Sequence, residues 1–333
     1  MNLNTIMLGD CREMLRTLPD KSVHCVVTSP PYFGLRDYGG QELQIGREAT
    51  PDEFVAAMVA VFREVHRVLR DDGVLWLNLG DSYARAGGSD RKPAAAGQPS
   101  RREGNRDQRV PSGFKAKDRL MIPARTAIAL QQDGWYLRDE IVWHKPRTTP
   151  APVKDRTVAA HEMIYLLTKS PRYWFDYLAI EEPAKYPGQV KKAGSAFRDM
   201  EATDPDAARK RPGADREITV RDTRRKRSVW SVSPSPYKDA HFATYPPDLI
   251  KPCILAGCPK GGIVLDPFFG SGTTGVVAQQ HGRNWIGCEL NPDYIPIAHR
   301  RLGLPIPVVA DECDDMLGHN GGPALDEADA MLG

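Results

Sequence analysis

The sequence predicts an α/β chain built on a doubly wound, mostly parallel sheet, and three observations carry that reading. Apolar runs of strand length alternate with segments of helical period: residues 23–27, then Phe54, Met58, Phe62, Val65 and Leu69 at helical spacing, then residues 74–79. Strand, helix, strand in that order is the unit of a parallel sheet with helices on both faces. Two apolar runs also stop abruptly in tight turns, Thr28-Ser29-Pro30-Pro31-Tyr32 and Asp266-Pro267-Phe268-Phe269-Gly270-Ser271-Gly272-Thr273-Thr274-Gly275. Finally, 333 residues with 41% apolar and 26% charged side chains can bury a large core as one domain plus an elaboration.

Taken in order, Ile6, Met7 and Leu8 form a short strand, and Asp10 with Glu13 three residues on reads as a cap opening a short helix. Residues 23–27 are a buried strand. Residues 33–46 are a glycine-rich polar loop whose Arg36, Asp37 and Tyr38 either reach substrate or face water. Thr50-Pro51-Asp52-Glu53 is a capping box with proline at the first helical position, so a helix follows, ending near Gly73. Residues 84–118 hold nine Lys/Arg against four Asp/Glu among Gly, Ser and Pro, the composition of a flexible insertion. Order returns with a helix over 122–132, a strand-like alternation over 135–143 closing at His144-Lys145-Pro146, and a strand over 163–168. Tyr173, Trp174, Phe175 and Tyr177 behind it read as core. From 185 to 228 thirteen Lys/Arg face seven Asp/Glu, ending in Arg224-Arg225-Lys226-Arg227 between two well-structured regions. His241-Phe242-Ala243-Thr244-Tyr245-Pro246-Pro247 then leads into a helix to about residue 255. A helix over 273–281, a strand over 284–289 and a last helix capped by Asn291-Pro292 follow the glycine-rich turn, with Pro296 requiring a kink or a late start. Residues 311–333 carry seven acids and no Lys/Arg, an acidic, loosely ordered tail.

The chemistry sits in the two turns. Pro30 and Pro31 continue neither a ladder nor a helix, so the backbone is stiff where Ser29 and Tyr32 project. A proline turn with a packed tyrosine would give the same letters. Gly270, Gly272 and Gly275 spell G-x-G-x-x-G, and Glu289 lies 19 residues after Gly270, behind a further apolar run. Such a pattern holds an adenosine cofactor: glycines let the backbone approach it and the carboxylate takes the ribose hydroxyls. Alone, it fits a plain strand-to-helix turn or a nicotinamide-dependent oxidoreductase equally well. Against the latter, the glycines follow Asp-Pro-Phe-Phe instead of opening at the strand end. No Gly-Lys-Ser/Thr follows them, which excludes a Walker phosphate loop.

Together the two turns resemble the motifs of the DNA amino-methyltransferases, which move a methyl group from S-adenosylmethionine to N4 of cytosine or N6 of adenine. Asp-Pro-Phe-Phe-Gly-Ser-Gly-Thr-Thr is similar to their donor-binding motif and Thr-Ser-Pro-Pro-Tyr to their catalytic motif. The order, catalytic motif first, resembles the permuted beta group, and the resemblance covers roughly residues 5–302, less the two basic stretches. It implies a Rossmann-like methyltransferase fold, circularly permuted, with S-adenosylmethionine held by Asp10, Asp266, Pro267, Phe268, Gly270, Ser271, Gly272, Thr273 and Glu289. Asp266 and Gly272 are expected to shape the donor turn from the rim of the core. The implied catalytic residues are Ser29, Pro30, Pro31 and Tyr32, acting on a base flipped out of double-stranded DNA, with Tyr32 as a stacking face. Because the family's target-recognition region lies between its two halves, Arg224, Arg225, Lys226 and Arg227 are the implied DNA contacts. Ser before Pro-Pro-Tyr resembles the N4-cytosine members; N6-adenine members more often carry Asp there, though some carry Ser, so N6-adenine is the alternative. Methylation at carbon 5 needs a cysteine nucleophile after a proline. The Pro252-Cys253 pair precedes Ile254 in a helical segment, which argues against it. An intact Ser29-Pro30-Pro31-Tyr32 argues against a DNA-binding module without catalysis.

The organisation that follows is a catalytic half over 1–183 containing the basic insertion 84–118, a target-recognition insertion over 184–230, a donor-binding half over 231–305 and the tail 306–333. The six cysteines show no C-x-x-C pair and no histidine at zinc spacing, so packed, reduced thiols and no metal are expected. No apolar run reaches the ~18 residues a membrane span needs, and the expectation is a cytoplasmic protein that meets no membrane. A homodimer and a cognate restriction endonuclease are both compatible with the resemblance.

Overall fold

The alternation of strand and helix closes into one eight-stranded sheet, seen here in a computed structural model that describes residues 1–34, 43–84, 111, 113–148, 153–192, 217–234 and 245–305. Arg36, Asp37, Tyr38, most of the first basic insertion, residues 193–216, residues 241–244 and the acidic tail lie outside those residues. In chain order the elements are β1 (Thr5–Leu8), α1 (Cys11–Arg16), β2 (Val23–Thr28), α2 (Pro51–Val68), β3 (Leu69–Leu79), α3 (Ile122–Gln132), β4 (Tyr136–His144) and β5 (His161–Thr168). Short strands β6 (Glu182–Pro183), β7 (Val190–Lys192), β8 (Glu217–Thr219) and β9 (Thr223–Arg224) follow. The chain then forms β10 (Val229–Ser231), α4 (Pro247–Gly257), β11 (Ile263–Asp266), α5 (Thr273–Gln280), β12 (Asn284–Glu289) and α6 (Tyr294–Leu302).

The sheet order is β1-β12-β11-β2-β3-β5-β4-β10. Pairing is parallel from β1 through to β3, whereas β5 runs antiparallel to both β3 and β4. From β11 the chain winds outward to β12, and from β2 it winds the other way to β3. The β11–β2 boundary is therefore the switch point, and ligands of such sheets collect outside the carboxyl ends of the strands there. The reversed β5 brings its first residues to that same edge: Leu79 lies opposite Met163, and His144 opposite His161.

Period-two alternation divides the core into two layers. Val26, Leu75, Leu77 and Leu79 bury against Phe54, Met58 and Phe62 of α2 on one face. Cys25, Val27, Val74 and Trp76 turn to the other and meet Leu249 and Ile254 of α4 and Val277 of α5. Each large apolar side chain fully buried this way contributes about 1.5–3 kcal/mol. The capping box of α2 forms as expected: Thr50 accepts from the Glu53 N–H at 3.2 Å, and the Glu53 carboxylate accepts from the Ala49 N–H at 3.0 Å.

Three local expectations are corrected. The end of α2 moves from Gly73 back to Val68, because Leu69 already pairs with Val23 and the charged Arg70-Asp71-Asp72 belongs to the strand. Asn291 does not cap the last helix but accepts from the Asp293 N–H at 2.9 Å; α6 starts at Tyr294, with Pro296 in its first turn, where backbone N–H groups lack helical partners anyway. Of the aromatic group read as core, Phe175 packs on Trp76, but Tyr177 remains exposed. The second basic stretch has paired ends: β6 with β9 and β7 with β8, both antiparallel.

Candidate active site

At the switch point the strand ends surround a cavity of about 440 Å³, within the ~300–1,000 Å³ usual for small-molecule and cofactor sites. One wall comes from β1, β11 and β12. Glu289, at the end of β12, accepts from the Gly270 N–H at 2.7 Å and from the Asn291 N–H at 2.8 Å. Burial pushes its carboxyl up to about 7, against the pull of those backbone donors. Asp10, following β1, caps α1 by accepting from the Arg12 N–H at 2.8 Å, and also takes the Arg12 guanidinium. Its burial is outweighed by hydrogen bonds and charge from Arg12, so its carboxyl lies below the usual range. Between them the glycine-rich loop lies flat on β12: a Cβ at Gly287 would sit 2.3 Å from the Phe269 ring, which stacks on Trp285 with centroids 5.1 Å apart.

Among the residues expected to hold a donor, Asp266 and Gly272 stand behind this wall and the others line it. Asp266 is not at the rim of the core but 1% exposed within it. It accepts from Thr28 Oγ1 at 2.6 Å, Thr274 Oγ1 at 2.6 Å, the Tyr245 hydroxyl at 2.9 Å and the Phe268 N–H at 3.0 Å. Burial raises its carboxyl above the ordinary value while these donors oppose the rise. Gly272 takes φ +80°, a conformation that disfavours any side chain. Ser271 turns its hydroxyl and carbonyl toward Arg301 of α6, at 2.5 and 2.8 Å, so the last helix pins the loop.

The facing wall carries Ser29, Pro30, Pro31 and Tyr32. The Tyr32 ring rests against Gly80, just past β3. Its hydroxyl donates to Glu162 Oε2 at 2.7 Å, with Asn78 Oδ1 at 3.2 Å and Ser29 Oγ at 3.4 Å beside it. The other Glu162 oxygen accepts from Lys145, whose ammonium lies 4.2 Å from the centre of the Trp143 ring. Tyr32 is therefore tethered at both ring and hydroxyl. Sequence reasoning passed over Asn78, Lys145 and Glu162; the one available signal was that each stands at the end or start of an apolar strand. Cys253, by contrast, is buried in α4, where burial pushes its thiol up, and it does not reach the cavity.

The glycine-rich loop and the Ser-Pro-Pro-Tyr tip meet on one cavity, and residues 23–300 fit the N6/N4 methyltransferase model described as DNA methylase. The chain belongs to this DNA methylase family. The Type II methyltransferase M.Cfr9I of Citrobacter freundii is 45% identical over 302 residues, covering 91% of this chain and 88% of its own. M.SmaI of Serratia marcescens is 41% identical over 297 residues, covering 89% and 90%. The fold is shared with the cytosine-N4-specific PvuII DNA methyltransferase, at TM-score 0.59 and 20% identity over 89% of this chain and 85% of that one. A putative DNA modification methylase from Thermus thermophilus, complexed with S-adenosyl-L-methionine, aligns at TM-score 0.53 and 25% identity over 90% and 92%. The family uses S-adenosylmethionine.

In this methylase the basic run 224–227 is partly engaged with the body. Arg224 and Arg227 share Glu182, at 2.9 and 2.8 Å. Arg225 lies 4.7 Å from the Tyr177 ring centre and Lys226 5.0 Å from that of Trp230. One carboxylate against two guanidiniums leaves the run net positive, with the Arg227 side chain 68% exposed.

Among the described residues, no helix is long and apolar enough to cross a membrane.

Proposed function

We propose that the protein is a site-specific DNA methyltransferase that transfers a methyl group from S-adenosylmethionine to N4 of a cytosine flipped out of double-stranded DNA. The observation that carries this reading is that the glycine-rich loop and the Ser29–Tyr32 tip line one cavity. They are tied behind it by Thr28 and Asp266, 238 positions apart in sequence.

The residues present suit the donor. Glu289 is a buried carboxylate whose pKa is raised by burial, and ribose hydroxyls would supply further donors to its charged form. Asp10 offers a charged acceptor for the adenine amine, and Phe268 an apolar side chain on the same wall. When bound, the sulfonium supplies an electrophilic methyl. The chain's own task is to aim the nucleophile. An exocyclic amine is weakly nucleophilic because its lone pair is delocalised into the ring. The Ser29 hydroxyl and Pro30 carbonyl accept its hydrogens and so turn the lone pair toward the methyl. The amine needs no strong base before attack, since its proton becomes acidic only once the new N–C bond forms. An amine within a duplex cannot enter such a pocket, so the base is extruded at a cost of a few kcal/mol and placed against Tyr32.

Ser29 favours N4 of cytosine; N6 of adenine is the second reading. The designation of the relatives as Type II methyltransferases supports a cognate restriction endonuclease as counterpart. The test is to incubate the protein with unmethylated DNA and S-adenosylmethionine, digest to nucleosides and identify the product by mass spectrometry. N4-methyldeoxycytidine is expected. N6-methyldeoxyadenosine would move the target base, and absence of any methylated nucleoside would overturn the function.

A further inference from the structure

The base-side wall contains an ion pair that neither the donor nor the amine chemistry uses. Lys145, just past β4, and Glu162, at the start of β5, come from neighbouring antiparallel strands and are only 20% and 16% exposed. Both line the cavity beside Tyr32. Each Glu162 oxygen is engaged, one by the Tyr32 hydroxyl at 2.7 Å and the other by Lys145, which fixes the carboxylate between them. Lys145 is different. An ammonium has three N–H donors. One goes to Glu162 and the Trp143 ring, centred 4.2 Å away, covers one side, which leaves donor capacity toward the cavity.

We propose that Lys145, fixed by Glu162 against Trp143, recognises the extruded base by donating to the ring acceptor beside its exocyclic amine, and that Glu162 is the positioning residue that sets both Lys145 and Tyr32. The inference rests on the methyl-transfer function proposed above. An amine flanked by an acceptor nitrogen is what cytosine offers with N3 and adenine with N1. Thymine and guanine present an N–H at the corresponding place, which an ammonium repels. The wall thus disfavours thymine and the O6 edge of guanine while Ser29 and Pro30 hold the amine itself. Because Glu162 neutralises it, Lys145 can donate without leaving net charge against the ring.

The test compares Lys145→Met and Glu162→Gln, singly and together, with the wild-type protein on unmethylated bacteriophage DNA. The readouts are single-turnover methyl transfer at saturating S-adenosylmethionine, the salt dependence of DNA affinity, and calorimetry with the donor. Lys145→Met is expected to slow transfer by about 100-fold, the scale of one lost preorganised polar contact, with donor affinity and salt slope unchanged. Glu162→Gln should also slow it, and the double variant should be slower than Lys145→Met alone, through the loosened Tyr32, but by less than the product of the two single losses, because coupled residues are not additive. Lys145→Ala, which likewise has no donor, provides the same comparison should the Met variant misfold. A wild-type rate in folded Lys145 variants overturns the proposal. So does a salt slope shallower by ~0.9, which would make Lys145 a phosphate contact. Additive losses overturn the role of Glu162. A wild-type protein that transfers no methyl overturns the function first and this inference with it.

Discussion

Gly80→Ala is the sharpest probe of how Tyr32 is held. A Cβ at position 80 would lie 2.4 Å from Tyr32 Cε2 and 2.8 Å from Cδ2, where carbon atoms normally approach to about 3.5–4.0 Å. The ring must therefore retreat by roughly 1 Å or more. It cannot do so freely, because its hydroxyl is bonded to Glu162 at 2.7 Å and flanked by Asn78 at 3.2 Å. Gly80 has no positive φ, so alanine fits the backbone and the strain falls on the ring. Overpacking of this kind costs about 1–3 kcal/mol, within the ~5–15 kcal/mol that keeps a domain folded. A displacement of ~1 Å at a reacting centre can cost ~100-fold in rate. The expected outcome is a folded protein with near-normal affinity for S-adenosylmethionine and single-turnover methylation slowed by about two orders of magnitude. Thermal melting, calorimetry and transfer of tritiated methyl to unmethylated DNA measure the three. A wild-type rate in the folded variant would refute the idea that the ring position matters, and an equal loss of donor affinity would place Tyr32 in the donor pocket instead.

Further outcomes follow from the same geometry. The Glu289 carboxyl, raised to about 7 by burial, accepts most strongly from ribose hydroxyls when charged. Donor affinity should therefore be full above that pH and weaken by up to ~10-fold per unit below it; Glu289→Gln should flatten the profile, and a flat wild-type profile would exclude the role. Asp266→Ala strands the buried Thr28 hydroxyl, at ~1–3 kcal/mol, while Tyr245 and Thr274 keep their bond to each other, so the melting temperature and donor binding should fall together. An unchanged melting temperature would mean that this hydroxyl finds another partner. Alanine at Arg224, Arg225, Lys226 and Arg227 should flatten the salt dependence of DNA binding by less than the ~3.6 expected for four full phosphate contacts, because Glu182 already occupies two of them. An unchanged slope would make the run a solvated surface.

Much of this protein was legible along the chain because its decisive signals are local. Pro30 and Pro31 stiffen a strand end whatever surrounds them, and Gly270, Gly272 and Gly275 spell a turn by their spacing. The capping box at Thr50 is complete within four residues and forms as read. Once two such turns each follow an apolar strand, a parallel sheet puts them on one edge, so the cavity itself was predictable. The direction of β5 was not. Residues 161–168 have the same apolar character whether they run with or against β3, and only the antiparallel pairing carries Glu162 to the ligand edge beside Tyr32 and Lys145. Depth was equally hidden. Asp266 looks like a loop residue in sequence, yet hydroxyls arriving from Thr28, Tyr245 and Thr274 surround it. Local preference sets which turns a chain makes, but what a side chain touches depends on segments hundreds of residues away, and that only the packed structure decides.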